Sequence, residues 1–181
     1  MDKQEILVRV KGVARELRRS TSNLFVDPVA LGLKMGVIFL ESDSCIGRSD
    51  LVRDENDKFI IRISKSAKVR FSRERMRFVI AHELGHVVLI NNWFEPAQTF
   101  SDAKKYYQVE KICNEFAASL LVDEEYVLGE ARRTGTQLIA VVNQMSSLFG
   151  VSKEVVARII VAGKKNTCLC LVDMNSSTKP T

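Results

Sequence analysis

Histidine is nearly missing from this 181-residue chain: there are two, His82 and His86. Any site that needs three imidazoles is excluded. The four cysteines, at 45, 113, 168 and 170, include no CxxC pair. A disulfide framework is therefore not expected, and free thiols in a reducing, cytoplasmic setting are. No apolar run approaches the roughly 18 residues of a membrane-spanning helix. The charged opening Met1-Asp2-Lys3-Gln4-Glu5 has no likeness to a signal peptide, and no membrane partner is expected. A net charge of +5 permits an acidic partner but names none. Against these absences, 46% hydrophobic residues are ample for the core of one domain with a small appendage.

What the chain does have is an HExxH sequence, inside the run from Arg77 to Leu89. Phe78, Val79, Ile80, Leu84, Val87, Val88 and Leu89 make that run a buried helix, where polar groups need partners. Four residues on an α-helix advance about 400°, so His82 and His86 share one face, one turn and roughly 6 Å apart. That is a two-point grip on one metal ion. Glu83 lies about 100° round from His82, beside the grip, where a carboxylate can take a proton from water activated by the ion. Burying two imidazoles and a carboxylate without a cation would cost on the order of several kcal/mol.

A zinc ion that does chemistry takes three protein ligands and keeps a fourth position open. With no histidine left, a carboxylate is the expected third ligand. The stretch from Tyr106 to Leu121 has apolar residues at 109, 112, 113, 116, 117, 120 and 121, the period of a second core helix. Glu110 and Asn114 share a face near the edge of that stripe, whereas Glu115 is nearer the polar side. Glu110 could reach the metal, with Asn114 one turn on to hydrogen-bond a ligand. From spacing alone, a surface glutamate on an amphipathic helix is an equal alternative.

The strings Arg77-Phe78-x-x-Ala81-His82-Glu83-x-Gly85-His86 and Glu110-x-x-x-Asn114-x-Phe116-Ala117-x-x-Leu120-Leu121 resemble the two hallmark blocks of the ImmA/IrrE zinc metallopeptidases. The resemblance implies Zn²⁺ held by His82, His86 and Glu110, since the family's glutamate ligand opens the second block. Asp27-Pro28-Val29-x-Leu31, followed by Gly36-Val37, is similar to the family's entry helix, so the likeness covers roughly residues 5–160. Val122-Asp123 stands where the family usually has Met-Pro, and Val79 replaces a common threonine. Neither touches a ligand implied by the resemblance.

Elsewhere the pattern predicts an amphipathic helix over 5–19, a short helix over 28–35 capped by Asp27, and strands at 37–40, 51–53 and 59–63. The fold expected is α+β, a zincin-like minimal metallopeptidase with a small antiparallel three-stranded sheet packed on helices. Residues 65–77 carry six cations against Glu74 alone, which reads first as a solvated loop and helix start and second as an anion-binding patch. Ser72 caps the HExxH helix, Asn91-Asn92 ends it, and Trp93-Phe94 packs on the core. A loop at 95–105 borders the cleft, and Tyr106 or Tyr107 could stabilise an oxyanion, ordinary packing being the alternative. Asp123 caps a helix from Glu124 that ends at Gly129 or at 132–135.

From Gln137 the cadence is helix-turn-helix: Leu138, Ile139, Val142, Met145, Leu148 and Phe149 on one face, a turn at Gly150-Val151, then a helix bearing Val155, Val156, Ile159 and Ile160. Packing is the commoner use of such a pair, and DNA binding the alternative. The expected organisation is a metallopeptidase domain over 1–131, a helix-turn-helix-like segment over 132–165, and a strand at 167–172 with a fraying tail to 181. The ImmA/IrrE resemblance implies a regulatory protease that cuts a helix-turn-helix repressor and releases stress-response or mobile-element genes. The alternatives are a DNA-binding regulator with a structural zinc, and a catalytically silent protein that sequesters its repressor.

Overall fold

Asp27 accepts hydrogen bonds from the backbone N–H of Val29 at 2.9 Å and Ala30 at 3.3 Å, and with Pro28 in the first turn it starts a short helix as its sequence predicts. The computed structural model describes residues 3–21, 23–45, 47–93, 103–135 and 137–163. Along these the chain runs α1 (Lys3–Arg19), α2 (Pro28–Lys34), β1 (Ile38–Ser42), β2 (Ser49–Arg53), β3 (Phe59–Ser64), α3 (Lys65–Arg70) and α4 (Arg73–Asn92). It continues through α5 (Ala103–Leu121), α6 (Glu124–Arg133), α7 (Leu138–Phe149) and α8 (Lys153–Gly163). Phe94, most of the 95–105 loop, and the expected strand and tail at 167–181 lie outside the described residues.

The fold is α+β, mostly helical with one small sheet, but the sheet is mixed rather than antiparallel. Its order is β1-β3-β2: β2 pairs antiparallel with β3, through Leu51 opposite Ile61, and β1 pairs parallel with β3, through Phe39 opposite Ile61. The reason lies in the residues. Phe59-Ile60-Ile61-Arg62-Ile63 is the most continuously apolar of the three and takes the centre, with Phe59 and Ile61 buried. Ser49 and Asp50 in β2, and Glu41 in β1, suit the edges. Once β2 reverses into β3, a strand from the other side of β2 in sequence meets β3 running the same way.

The core joins α1 (Ile6, Val10, Ala14), α4 (Leu84, Val87, Leu89) and α5 (Val109, Ile112, Phe116, Leu120) to the buried face of the sheet. Trp93 packs on this core as expected. Gly85 sets the spacing of α4 and α5: a Cβ there would lie 3.2 Å from the Cys113 Cα and 3.2 Å from a ring carbon of Phe116. α7 and α8 extend the core through Val142, Met145, Phe149, Val156 and Ile160. Ile139, expected on the buried face of α7, is 62% exposed, and Val141 is buried in its place. Gly150 turns the pair with φ 57°, a left-handed conformation that favours glycine. Arg77, on α4, donates to the carbonyls of Phe149 and Gly150 and stacks 3.7 Å over the Phe25 ring, so the turn is fastened to the HExxH helix.

Candidate metal centre

Ser72 accepts from the Arg75 N–H at 3.3 Å and starts α4 where the sequence places its cap. The helix then runs with residues 79–81 and 83–89 buried, so the HExxH residues are held among apolar neighbours. His82 Nε2 and His86 Nε2 face one another at 3.1 Å, with the rings edge to face and centroids 4.9 Å apart. α5 brings up Glu110, whose Oε2 is 3.2 Å from His82 Nε2 and Oε1 3.1 Å from His86 Nε2.

Lone pairs from three side chains therefore converge: two imidazole nitrogens and the two oxygens of one carboxylate. Two neutral imidazole nitrogens and a carboxylate repel at this range unless a proton or a metal ion lies among them. A tetrahedral ion with bonds of about 2.0–2.1 Å separates its ligand atoms by about 3.3 Å, so the cluster has the spacing a zinc-sized ion needs. Electrostatics agree. Burial raises the Glu110 pKa, but the two imidazoles outweigh it and hold the carboxyl well below the ordinary range. Burial likewise lowers the His82 pKa, and Glu110 and Glu83 outweigh it upward. On the far side of the ring His82 Nδ1 lies 2.9 Å from Asn114 Oδ1, an acceptor for Nδ1–H; in the neutral ring that tautomer turns the Nε2 lone pair towards the cluster.

Cys113 offers a competing third donor that sequence reasoning passed over. Its Sγ and a ring nitrogen from each histidine lie within 4.8 Å of one another. Glu110 is nearer and aimed at both imidazoles, whereas the fully buried Cys113 thiol is pushed up by burial and by the carboxylates of Glu110 and Glu83, which keeps it protonated. We therefore weigh Glu110 above Cys113.

Glu83 is 8% exposed and accepts a hydrogen bond of 2.6 Å from Ser49 Oγ, at the start of β2. Sequence gave no sign of Ser49, because this contact crosses from an edge strand to the helix. Of the two tyrosines, Tyr106 lines the cleft, and burial followed by the Glu110 carboxylate raises its phenol pKa. Tyr107 is 60% exposed, lies under Lys111 Nζ at 4.7 Å from its ring centroid, and is not among the lining residues.

The cluster opens into a cleft of about 820 Å³, in the range of ligand sites of roughly 300–1,000 Å³. Residues 49–53 of β2 form one wall, and Val79, Glu83 and Ile90 of α4 lie opposite. Among the described residues β2 pairs only with β3 and is an edge strand, and its residues 49–53 all line this space. No helix among the described residues is long and apolar enough to cross a membrane.

Comparison with known proteins accords with this arrangement. A Mycobacterium tuberculosis transcriptional regulator of known structure shares the fold, with a TM-score of 0.55 at 14% identity over 87% of this chain and 50% of that one. The chain thus spans half the length of that regulator. No curated protein matches. Residues 35–160, more than half the chain, match the model of the M78 peptidases described as the IrrE N-terminal-like domain. The convergent histidines lie inside that match, and the chain belongs to the M78 peptidase family, in its IrrE N-terminal-like domain.

Proposed function

We propose that this protein is a zinc-dependent endopeptidase of regulatory type, with His82, His86 and Glu110 as metal ligands and Glu83 as general base. The observation that carries the reading is the convergence of three side chains, two imidazoles and one carboxylate, with contacts of 3.1–3.2 Å beside a buried glutamate. Bound zinc supplies a positive charge that polarises the scissile carbonyl and makes water acidic. The chain's own residues do the rest. Glu83 takes the proton from the attacking water and passes it to the leaving amine. Ser49 holds the Glu83 carboxylate by its 2.6 Å hydrogen bond, and Asn114 fixes the His82 ring. The free edge of β2 aligns the substrate as an added strand, with main-chain hydrogen bonds. Tyr106, which lines the cleft, would donate to the oxyanion that develops.

The substrate proposed is a helix-turn-helix transcriptional repressor, whose cleavage would derepress stress-response or mobile-element genes in the cytoplasm. The α7–α8 pair serves packing in this reading. Arg158 of α8 is tied to Glu115 of α5 at 3.3 Å, which removes a cation from any DNA-facing set. Incubation with zinc and a helix-turn-helix repressor encoded beside its gene is the test. Fragments that disappear on chelation and return with zinc are expected. Intact repressor, with salt-dependent DNA binding that survives chelation, would replace the enzyme by a DNA-binding regulator.

A further inference from the structure

The run at 65–77 looked uniformly basic in sequence, but the fold sorts its cations. Lys65 pairs with Asp43 at 2.7 Å and Lys68 with Glu41, while Arg77 is buried under Phe25. Across the sheet Arg62 holds both oxygens of Asp50, at 2.7 and 2.8 Å, and Arg53 pairs with Asp57. Two guanidiniums are treated differently. Arg48 and Arg75 both lie over the ring of Phe71, at 5.3 and 4.2 Å from its centroid, and neither has an ion-pair partner among the described residues. Both guanidiniums lie over this one ring, Arg48 from the lining of the cleft and Arg75 from outside that lining, and no carboxylate of the described fold answers them.

The place is informative. Arg48 lines the same cleft as the metal cluster and directly precedes Ser49, which holds Glu83. A strand rises about 3.3 Å per residue. A peptide laid along β2 with its scissile bond at Glu83 therefore carries a side chain past Arg48 within about two residues of that bond. The neighbouring carboxylate of the wall, Asp50, is already neutralised by Arg62. Arg70 and Arg73, exposed and without ion-pair partners among the described residues, flank Phe71 in sequence and add to the positive field.

We propose that Arg48 and Arg75, assembled on Phe71, form a subsite for an acidic side chain of the peptide lying along β2, within two residues of the scissile bond. This rests on the endopeptidase reading of the cleft. It makes the substrate segment an extended, acidic peptide, recognised by a guanidinium–carboxylate pair that sets KM more than kcat.

The test uses full-length protein and a fluorescent ten-residue alanine-rich peptide with a central leucine, in which Glu, Gln or Lys is scanned through every position. Binding is read by anisotropy with Glu83→Gln, with and without zinc, and cleavage with the unsubstituted protein. Glu at one or two adjacent positions is expected to tighten binding about five- to tenfold over Gln, in low salt. Arg48→Glu, on an exposed residue, is expected to transfer the preference to Lys at those positions with an unchanged melting temperature. Equal binding of all three peptides, or a Glu preference that survives Arg48→Glu, overturns the subsite. So does displacement of the peptide by duplex DNA, which would assign the arginines to nucleic acid. Glu-selective binding without cleavage would leave the subsite standing and sink the hydrolase; cleavage without selectivity would do the reverse.

Discussion

Helix α5 carries charge on two sides, and the two sides handle it differently. Away from the cleft, Glu115 meets Lys11 at 3.2 Å and Arg158 at 3.3 Å, while Glu124 meets Lys11 at 2.9 Å and Arg15 at 2.8 Å. Each of those carboxylates has a cation, and the seam ties α1 to α5, α6 and α8. On the cleft side Glu110 faces two imidazoles with the Tyr106 phenol nearby, Glu83 has a hydroxyl, and Arg48 stacks on a ring without an anion among the described residues. Balanced charge joins elements of the fold; unbalanced charge is held ready for something the chain does not itself supply. Two glutamates five residues apart on one helix thus have unlike duties because of what the neighbouring elements bring to them.

The largest effect that separates the two sides is catalytic. Glu83→Gln should lower kcat by about 10²–10⁴-fold, the usual worth of a positioned general base, with metal content unchanged. Glu115→Gln in the seam should leave kcat within about twofold, since it touches nothing in the cleft. A steady-state assay on both variants reads the contrast, and equal losses would erase it. Next comes the spacing of the two helices. Gly85→Val inserts atoms where even a Cβ sits 3.2 Å from the Cys113 Cα, and should destabilise by about 1–3 kcal/mol while weakening zinc binding, measured by melting and by competitive chelation. Ser49→Ala removes one hydrogen bond worth about 1 kcal/mol, so a kcat about fivefold lower with metal retained is expected.

The smallest effect belongs to the seam and shows in acid. Burial raises the pKa of Glu124, but Lys11 and Arg15 outweigh it and hold the carboxyl below its usual value; Asp123 is held down likewise by the Tyr126 N–H and by Arg18. Carboxyls whose folded pKa lies below the unfolded value, about 4, stabilise fully above that pH and lose the contribution as pH falls through the folded value. Urea midpoints measured from pH 7 to 3 should therefore fall on the acid side. Glu124→Gln should flatten part of that fall, and an unchanged acid limb would remove the seam from the account.

Much of the site was legible because it is local. His82, Glu83 and His86 lie on one helix, where spacing alone fixes their faces, and Asn114 follows Glu110 by a single turn. Spacing favoured Glu110 over Glu115 and family likeness favoured a ligand over a surface glutamate; the structure brings Glu110 to the imidazoles while Glu115 goes to the seam. Contacts between elements were not legible. Ser49 meets Glu83 across 34 residues of chain, and Arg48 and Arg75 meet only through Phe71. Cys113 read as one more apolar position of α5. Strand existence followed from composition, but the parallel pairing of β1 with β3 depends on which strand takes the centre, and alternation does not encode that. The short helix α3, capped by Ser64, was hidden in a run of cations.

Everything in the proposed catalytic function depends on one dication among His82, His86 and Glu110. The direct measurement is zinc content and affinity of refolded, metal-depleted protein, beside His86→Ala, Glu110→Gln and Cys113→Ala. One zinc per chain, lost with His86→Ala, weakened by at least about tenfold with Glu110→Gln and kept with Cys113→Ala, is the predicted result. No stoichiometric metal in the unsubstituted protein, or metal that depends on Cys113 and not on Glu110, would contradict it.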